Sequence, residues 1–271
     1  MASIIKSVEL PNQVRLPYVE QGDASGVPVL LLHGVTDSWH SFEPVLPHLP
    51  ASIRAFTLTQ RGHGDASRPA AGYRFQDFAA DLAAFLDALH LDAAVIAGHS
   101  MGSSVAQRFA IDYPERTLGL VLMGAFATLP SNPDVRELWD STVSKLTDPV
   151  DAGFVRAFQE STLARPVPQA FFETIVQESL KVPARVWRAT FGGFLADNFS
   201  GELNKITAPT LIVWGDQDAF CPRRDQEMLA AAIAGSQLVV YAGAGHALHW
   251  EEPERFAADL VAFVERTCSC Q

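Results

Sequence analysis

The sequence predicts an α/β fold: a mostly parallel eight-stranded sheet flanked by helices. Three observations carry that expectation. Short apolar runs alternate along the chain with amphipathic segments of helical period. Runs such as VPVLLL lack a clean polar–apolar alternation, as strands covered on both faces do. The 271 residues, 48% hydrophobic and 19% charged, suffice to bury a substantial core.

In chain order, Lys6–Leu10 and Arg15–Gln21 read as an opening hairpin. Buried strands are predicted at Val27–Leu32, Ile53–Leu58, Ala93–Ala97, Leu118–Gly124, Pro209–Trp214 and Gln237–Tyr241, each rich in Val, Ile and Leu. Helices are predicted at Arg74–Leu89, Ser104–Tyr113, Arg223–Ala234 and Pro253–Arg266. In the first of these, Phe75, Phe78, Leu82, Phe85, Leu86 and Leu89 fall on one face. From Thr128 to Leu203 the rhythm breaks. Helical patches separated by Pro130, Pro133, Pro149, Pro166, Pro168 and Pro183 carry many aromatic residues and no strand. This stretch reads as an inserted helical subdomain at 128–203, the core domain being 1–127 and 204–271.

Composition excludes several function classes. The formal net charge is −11, and no Lys/Arg cluster forms a phosphate-binding stripe, so a nucleic-acid partner is not expected. The longest apolar runs fall short of the ~20 residues of a membrane helix. The first residues, MASIIKSVELPNQ, lack the apolar centre and cleavage site of a secretory signal, so a cytoplasmic location is the expectation. Self-association into a homo-oligomer stays open. There are three cysteines, and two of them, Cys268 and Cys270, stand in the terminal CSCQ. With no second Cys/His cluster to join them, they read as a solvated tail rather than metal ligands.

Ser100 stands between Gly98 and Gly102, where a strand pattern gives way to a helical one. A strand turning directly into a helix forces its corner residue into strained geometry, often with positive φ. Glycines at either side let the helix start against the strand. The turn lifts the hydroxyl above the sheet edge, where the N–H groups of the first helical turn favour negative charge. That is the G-x-S-x-G nucleophile elbow. The competing reading of the motif is a serine that merely caps a helix.

A serine hydroxyl needs a base to become a nucleophile, and the base needs an orienting acceptor. In PTLIVWGDQDAF a strand ends in a turn with two carboxylates, Asp216 and Asp218. Asp218, further past the strand, is favoured to reach back over the rim, and Asp216 to cap the turn. In QLVVYAGAGHALHW a strand and a Gly-rich turn present His246, whereas His249 beside Trp250 reads as packing. All three groups follow strand C-termini, the edge where parallel sheets bind ligands. Oxyanion donors are expected from the N–H of Met101, next to the nucleophile, and of Val35, freed to turn by Gly34. Neither a metal nor an organic cofactor is implied.

With HG at 33–34, RGHG at 61–64, GHSMG at 98–102, GDQD at 215–218 and GAGH at 243–246, the chain resembles the α/β-hydrolase superfamily over nearly its whole length. The branch it looks most like is that of the small bacterial esterases, enol-lactonases and cofactor-free perhydrolases. The resemblance implies Ser100 as nucleophile, Asp218 as acid, His246 as base, an oxyanion hole at Val35 and Met101, and a helical cap after the sixth strand. Thr59, Ala66 and Ser103 depart from the family's usual Asp, Ser and Gly, which blurs the branch more than the chemistry. A serine at the elbow points to acyl carbon, unlike the aspartate of haloalkane dehalogenases and epoxide hydrolases. The expected substrate is a small hydrophobic ester or lactone, with Phe126, Trp139 and Trp187 as candidate contacts. Carbon–carbon hydrolysis, perhydrolysis, a lyase reaction or a catalytically silent receptor stay open on the same fold.

Overall fold

The computed structural model describes residues 4–126, 128, 130 and 132–268. Eight strands among them form one sheet: β1 (Ile5–Glu9), β2 (Arg15–Gln21), β3 (Val27–Leu32), β4 (Ile53–Leu58), β5 (Ala94–His99), β6 (Thr117–Met123), β7 (Thr210–Gly215) and β8 (Gln237–Tyr241). Their order is β1-β2-β4-β3-β5-β6-β7-β8. Both pairings of β2 are antiparallel and all pairs from β4 to β8 are parallel, so β2 alone runs against the rest.

The central strands show no polar face because both faces are core. Leu30 and Leu32 join one apolar cluster, and Val29 and Leu31, pointing the other way, join a second. The first cluster lies under α1 (Phe75–Ala88) and α2 (Met101–Asp112), and Phe75, Phe78, Leu82, Phe85 and Leu86 fill it. The second is closed by Phe256, Leu260, Phe263 and Val264 of the last helix, Pro253–Cys268.

Between β6 and β7 run four helices, α3 (Pro133–Ser141), α4 (Ala152–Glu160), α5 (Gln169–Leu180) and α6 (Ala184–Ala196), then a 3-10 turn at Ser200–Lys205. Three of the six prolines that punctuate this stretch stand at helix starts. Pro133 opens α3 behind Asn132, whose Oδ1 accepts from the N–H groups of Asp134 and Val135, and Pro168 and Pro183 stand at the N-caps of α5 and α6. Asp151 caps α4 by accepting from the Phe154 N–H. The boundary expected at residue 203 falls inside the 3-10 turn.

Other differences have local causes. Helix α2 begins at Met101, three residues before its apolar periodicity does, because the strand–helix turn and not the pattern fixes its start. The last helix runs through Cys268, which is half-buried against the second core cluster and so is not part of a solvated tail; Cys270 lies outside the described residues. Two further helices follow β7: α7 (Arg223–Ala232) and the short α8 (Leu248–Glu251), with Pro253–Cys268 as α9. Helix α8 is too short to show a period. Among the described residues no helix is long and apolar enough to cross a membrane.

Candidate active site

Ser100 has φ +52° and ψ −117°, a conformation L-residues rarely adopt. Two backbone approaches hold it there. A Cβ on Gly98 would stand 2.1 Å from the Gly102 carbonyl oxygen, and a Cβ on Gly102 would stand 2.3 Å from that of Leu32 in β3. The Ser100 side chain makes no capping bond to α2, contrary to a plain capping role.

Asp218 follows β7 in a tight turn. Its Oδ1 accepts from the N–H groups of Phe220 (2.8 Å) and Cys221 (2.9 Å), and its Oδ2 lies 2.9 Å from His246 Nδ1. The carboxylate side chain is fully buried. Asp216 instead accepts from the Gly243 N–H at 2.6 Å, tying the β7 turn to the loop that carries His246. The Gln217 N–H donates to the Ala244 carbonyl across the same two loops. The imidazole of His246 packs on Gly124, where a Cβ would come within 2.9 Å of Nδ1.

The floor behind His246 holds two more buried histidines. His99 Nε2 donates to the His246 carbonyl (3.1 Å), and His249 Nε2 pairs with Ser41 Oγ (3.1 Å). Burial lowers both pKa values, that of His99 well below the ordinary imidazole range and that of His249 to about 3. Neutral His99, with its proton on Nε2, therefore leaves Nδ1 as an acceptor, and that atom has no partner among the described residues.

The loop after β3 is set by His33, whose Nδ1 reaches the Gly34 carbonyl (2.7 Å) and whose Nε2 accepts from the Gln60 N–H (3.0 Å). Acceptance at Nε2 needs a neutral ring with its proton on Nδ1, and burial pushes the His33 pKa down accordingly. Among the described residues the N–H groups of Val35 and Met101 have no hydrogen-bond partner. Val35 lines the pocket above Ser100, while the Met101 side chain is buried in the core.

That pocket encloses about 570 Å³, including its open mouth. Ser100 and His246 both line it, although no hydrogen bond joins Ser100 Oγ to His246 among the described residues. Its walls are Phe126, Leu138, Phe158, Phe191, Phe194 and Phe220. Of the aromatic candidates, Phe126 is there and the two tryptophans are not. Trp187 is fully buried within the helical layer, stacked on Phe191 and edge-on to Phe158, so it backs the wall rather than forming it. Trp139 is half-buried beside Gly192.

Asp37 and Gln159 are among the polar lining residues that escaped sequence reasoning, with Asp134 and Thr162. Asp37 is 2% exposed, and burial raises its pKa to about 7 against the opposing effects of Gln159 and His246. Only its place three residues past the HG turn could have drawn attention to it. For metals, one group qualifies by distance among the described residues: ligand atoms of Asp218, Cys221 and His246 lie within 4.8 Å of one another. The chemistry is poor for a cation, since the Cys221 thiol donates to the Gly124 carbonyl (3.0 Å) and burial raises its pKa far above the ordinary value.

A G-x-S-x-G strand–helix turn at the C-terminal rim of a mostly parallel sheet, with a paired carboxylate and imidazole opposite, marks a hydrolase-type α/β protein. The chain belongs to the alpha/beta hydrolase fold family, which it matches over residues 27–253. It is 31% identical to the pimeloyl-[acyl-carrier protein] methyl ester esterase of Neisseria meningitidis, over 88% of this chain and 76% of that protein. Among solved structures it resembles a bromoperoxidase from Bacillus anthracis, at 26% identity and TM-score 0.86, covering 97% of this chain and 100% of that one. An esterase from Exiguobacterium antarcticum shares the fold at 24% identity and TM-score 0.85, over 97% and 100% of the two chains.

Proposed function

We propose that this hydrolase-fold protein cleaves carboxylic ester or lactone bonds of small hydrophobic substrates through Ser100, His246 and Asp218, by way of an acyl-enzyme. The observation that carries the reading is the Asp218–His246 pair at 2.9 Å opening onto the same pocket as a serine strained to φ +52°. With Asp218 accepting from Nδ1, the imidazole keeps its free lone pair on Nε2 for the Ser100 proton. Ser100 Oγ attacks the carbonyl carbon, and the N–H groups of Val35 and Met101 receive the developing oxyanion. His246 then returns the proton to the departing alkoxide, and water repeats the cycle to release the acid. Catalytic hydrogen bonds commonly tighten only with substrate in place, so the open Ser100–His246 contact is compatible with this role.

The aromatic walls suit uncharged acyl or aryl groups. We assign a small molecule as the partner, with neither nucleic acid nor membrane, and the helices between β6 and β7 as a cap over the pocket. The test is covalent labelling by a fluorophosphonate probe together with burst release of p-nitrophenol from a short aryl ester. Both are expected in the native chain and both are lost in Ser100→Ala. A retained burst in that variant rejects the assignment. The likeness to a bromoperoxidase favours one second reading, in which hydrogen peroxide instead of water takes the acyl group. Peracid formation from an ester and hydrogen peroxide would identify it.

A further inference from the structure

The aromatic pocket has one polar corner for which ester hydrolysis has no use. Gln159, on α4, and Asp37, on the loop after β3, both line it and are 1% and 2% exposed. Gln159 Nε2 stands 3.0 Å from Asp37 Oδ1, 2.7 Å from Ser179 Oγ and 3.1 Å from Thr36 Oγ1. Its two hydrogens are therefore committed. The other amide atom, Oε1, has no partner among the described residues. Turning the amide over moves the deficit and does not remove it. Oε1 is not among the fully buried unpartnered side-chain atoms, so it keeps contact with the pocket, where a ligand's donor can take the place of water.

Charge sharpens the corner's preference. No Lys or Arg lines the pocket among the described residues, and a second carboxylate, Asp134, stands at its exposed side. A carboxylate arriving here would lose its hydration and find no Lys or Arg to pair with. An uncharged donor would meet the free amide oxygen.

We propose that Gln159 and Asp37 form a polar subsite that selects esters carrying an uncharged hydrogen-bond donor, a hydroxyl or an amide N–H, on the group lodged in the pocket, and rejects esters ending in a carboxylate. The proposal rests on the ester-hydrolase reading above and adds the substrate class. Gln159 Oε1 accepts the donor, and Asp37 fixes the amide in the orientation that leaves Oε1 free. Once ionised, the same Asp37 makes the corner hostile to anions.

The test compares kcat/KM for methyl butanoate, methyl 3-hydroxybutanoate and monomethyl succinate, followed by methanol release, with the mirrored series varied on the alcohol side. In the native chain the hydroxy ester is expected to exceed the plain ester by about tenfold or more in one series, with the carboxylate last. Gln159→Leu should bring the hydroxy-to-plain ratio to about one, and Asp37→Asn should raise relative use of the carboxylate ester by about tenfold. A merely structural role would lower all three rates together and leave their ratios alone. Equal ratios in the native chain, or ratios unmoved by both variants, overturn the proposal. Should a variant fail to fold, the native ratios decide alone. If the plain ester is not cleaved and fluorophosphonate leaves Ser100 unlabelled, the hydrolase reading itself fails and takes the subsite with it; cleavage of the plain ester without discrimination rejects only the subsite.

Discussion

Gly98 and Gly102 leave no room between them: a Cβ on Gly98 would sit 2.1 Å from the Gly102 carbonyl oxygen. The strained backbone of Ser100 is bracketed by this contact, so the elbow exists only while both positions lack side chains. Gly98→Ala or Gly102→Ala forces backbone apart in a packed core, at a cost of at least about 1–3 kcal/mol. In thermal denaturation each should lower Tm by about 2–10 °C. Gly201→Ala, with nothing within 4 Å of its would-be Cβ, serves as the control and should leave Tm near the native value.

Asp218→Asn tests the proposed acid. The amide would present a donor where His246 Nδ1 now donates, favouring the wrong imidazole tautomer. Loss of about 10⁴ in kcat toward a short aryl ester is expected, as in serine proteases altered the same way. Asp216→Asn, which touches the Gly243 N–H and not the imidazole, should retain most activity. Equal losses in the two variants would contradict the division of roles.

The elbow and its facing loops were legible because their residues report local demands: glycines where backbones touch, and Asp and His just past strand ends. The pairing of Asp218 with His246 needs only that two neighbouring parallel strands end on one rim. Asp37 and Gln159 lie 122 residues apart and meet only because α4 lies over the β3 loop. No local pattern announces that. Trp187 illustrates the converse failure. An aromatic residue in the helical insert reads alike whether it faces a ligand or its neighbours, and tertiary packing alone places it behind the wall.

Trp187 therefore yields a prediction opposite to that for Phe126. Trp187→Ala empties a fully buried site between aromatic rings and should cost about 3–5 kcal/mol. Phe126 borders the pocket and lies 6.3 Å from the His246 ring, so Phe126→Leu should change KM and ester preference with a much smaller fall in Tm. Paired melting curves and steady-state kinetics check both. A larger Tm loss in Phe126→Leu than in Trp187→Ala would reverse the assignment.

The buried titratable groups predict how stability follows pH. Asp37 rises to about 7 in the fold, against about 3.9 in an unfolded chain. Between those values the native state binds the extra proton, so Asp37's contribution is fully present below pH ~4 and is lost as pH climbs through about 7. Three units correspond to about 4 kcal/mol as an upper bound. His249, lowered to about 3, and His63, lowered to about 4, act in the opposite sense. The unfolded chain takes protons that these buried rings refuse, so they remove stability as pH falls below ~6.5. The native chain thus loses stability at both ends of the range. Asp37→Asn removes the alkaline loss alone and leaves the histidine loss in place. Melting temperatures of the two proteins from pH 5 to 8 should diverge upward, the variant gaining on the native chain as pH rises. A gap that stays constant across that range would mean that Asp37 titrates near the ordinary carboxylate value, already ionised beside Gln159 throughout.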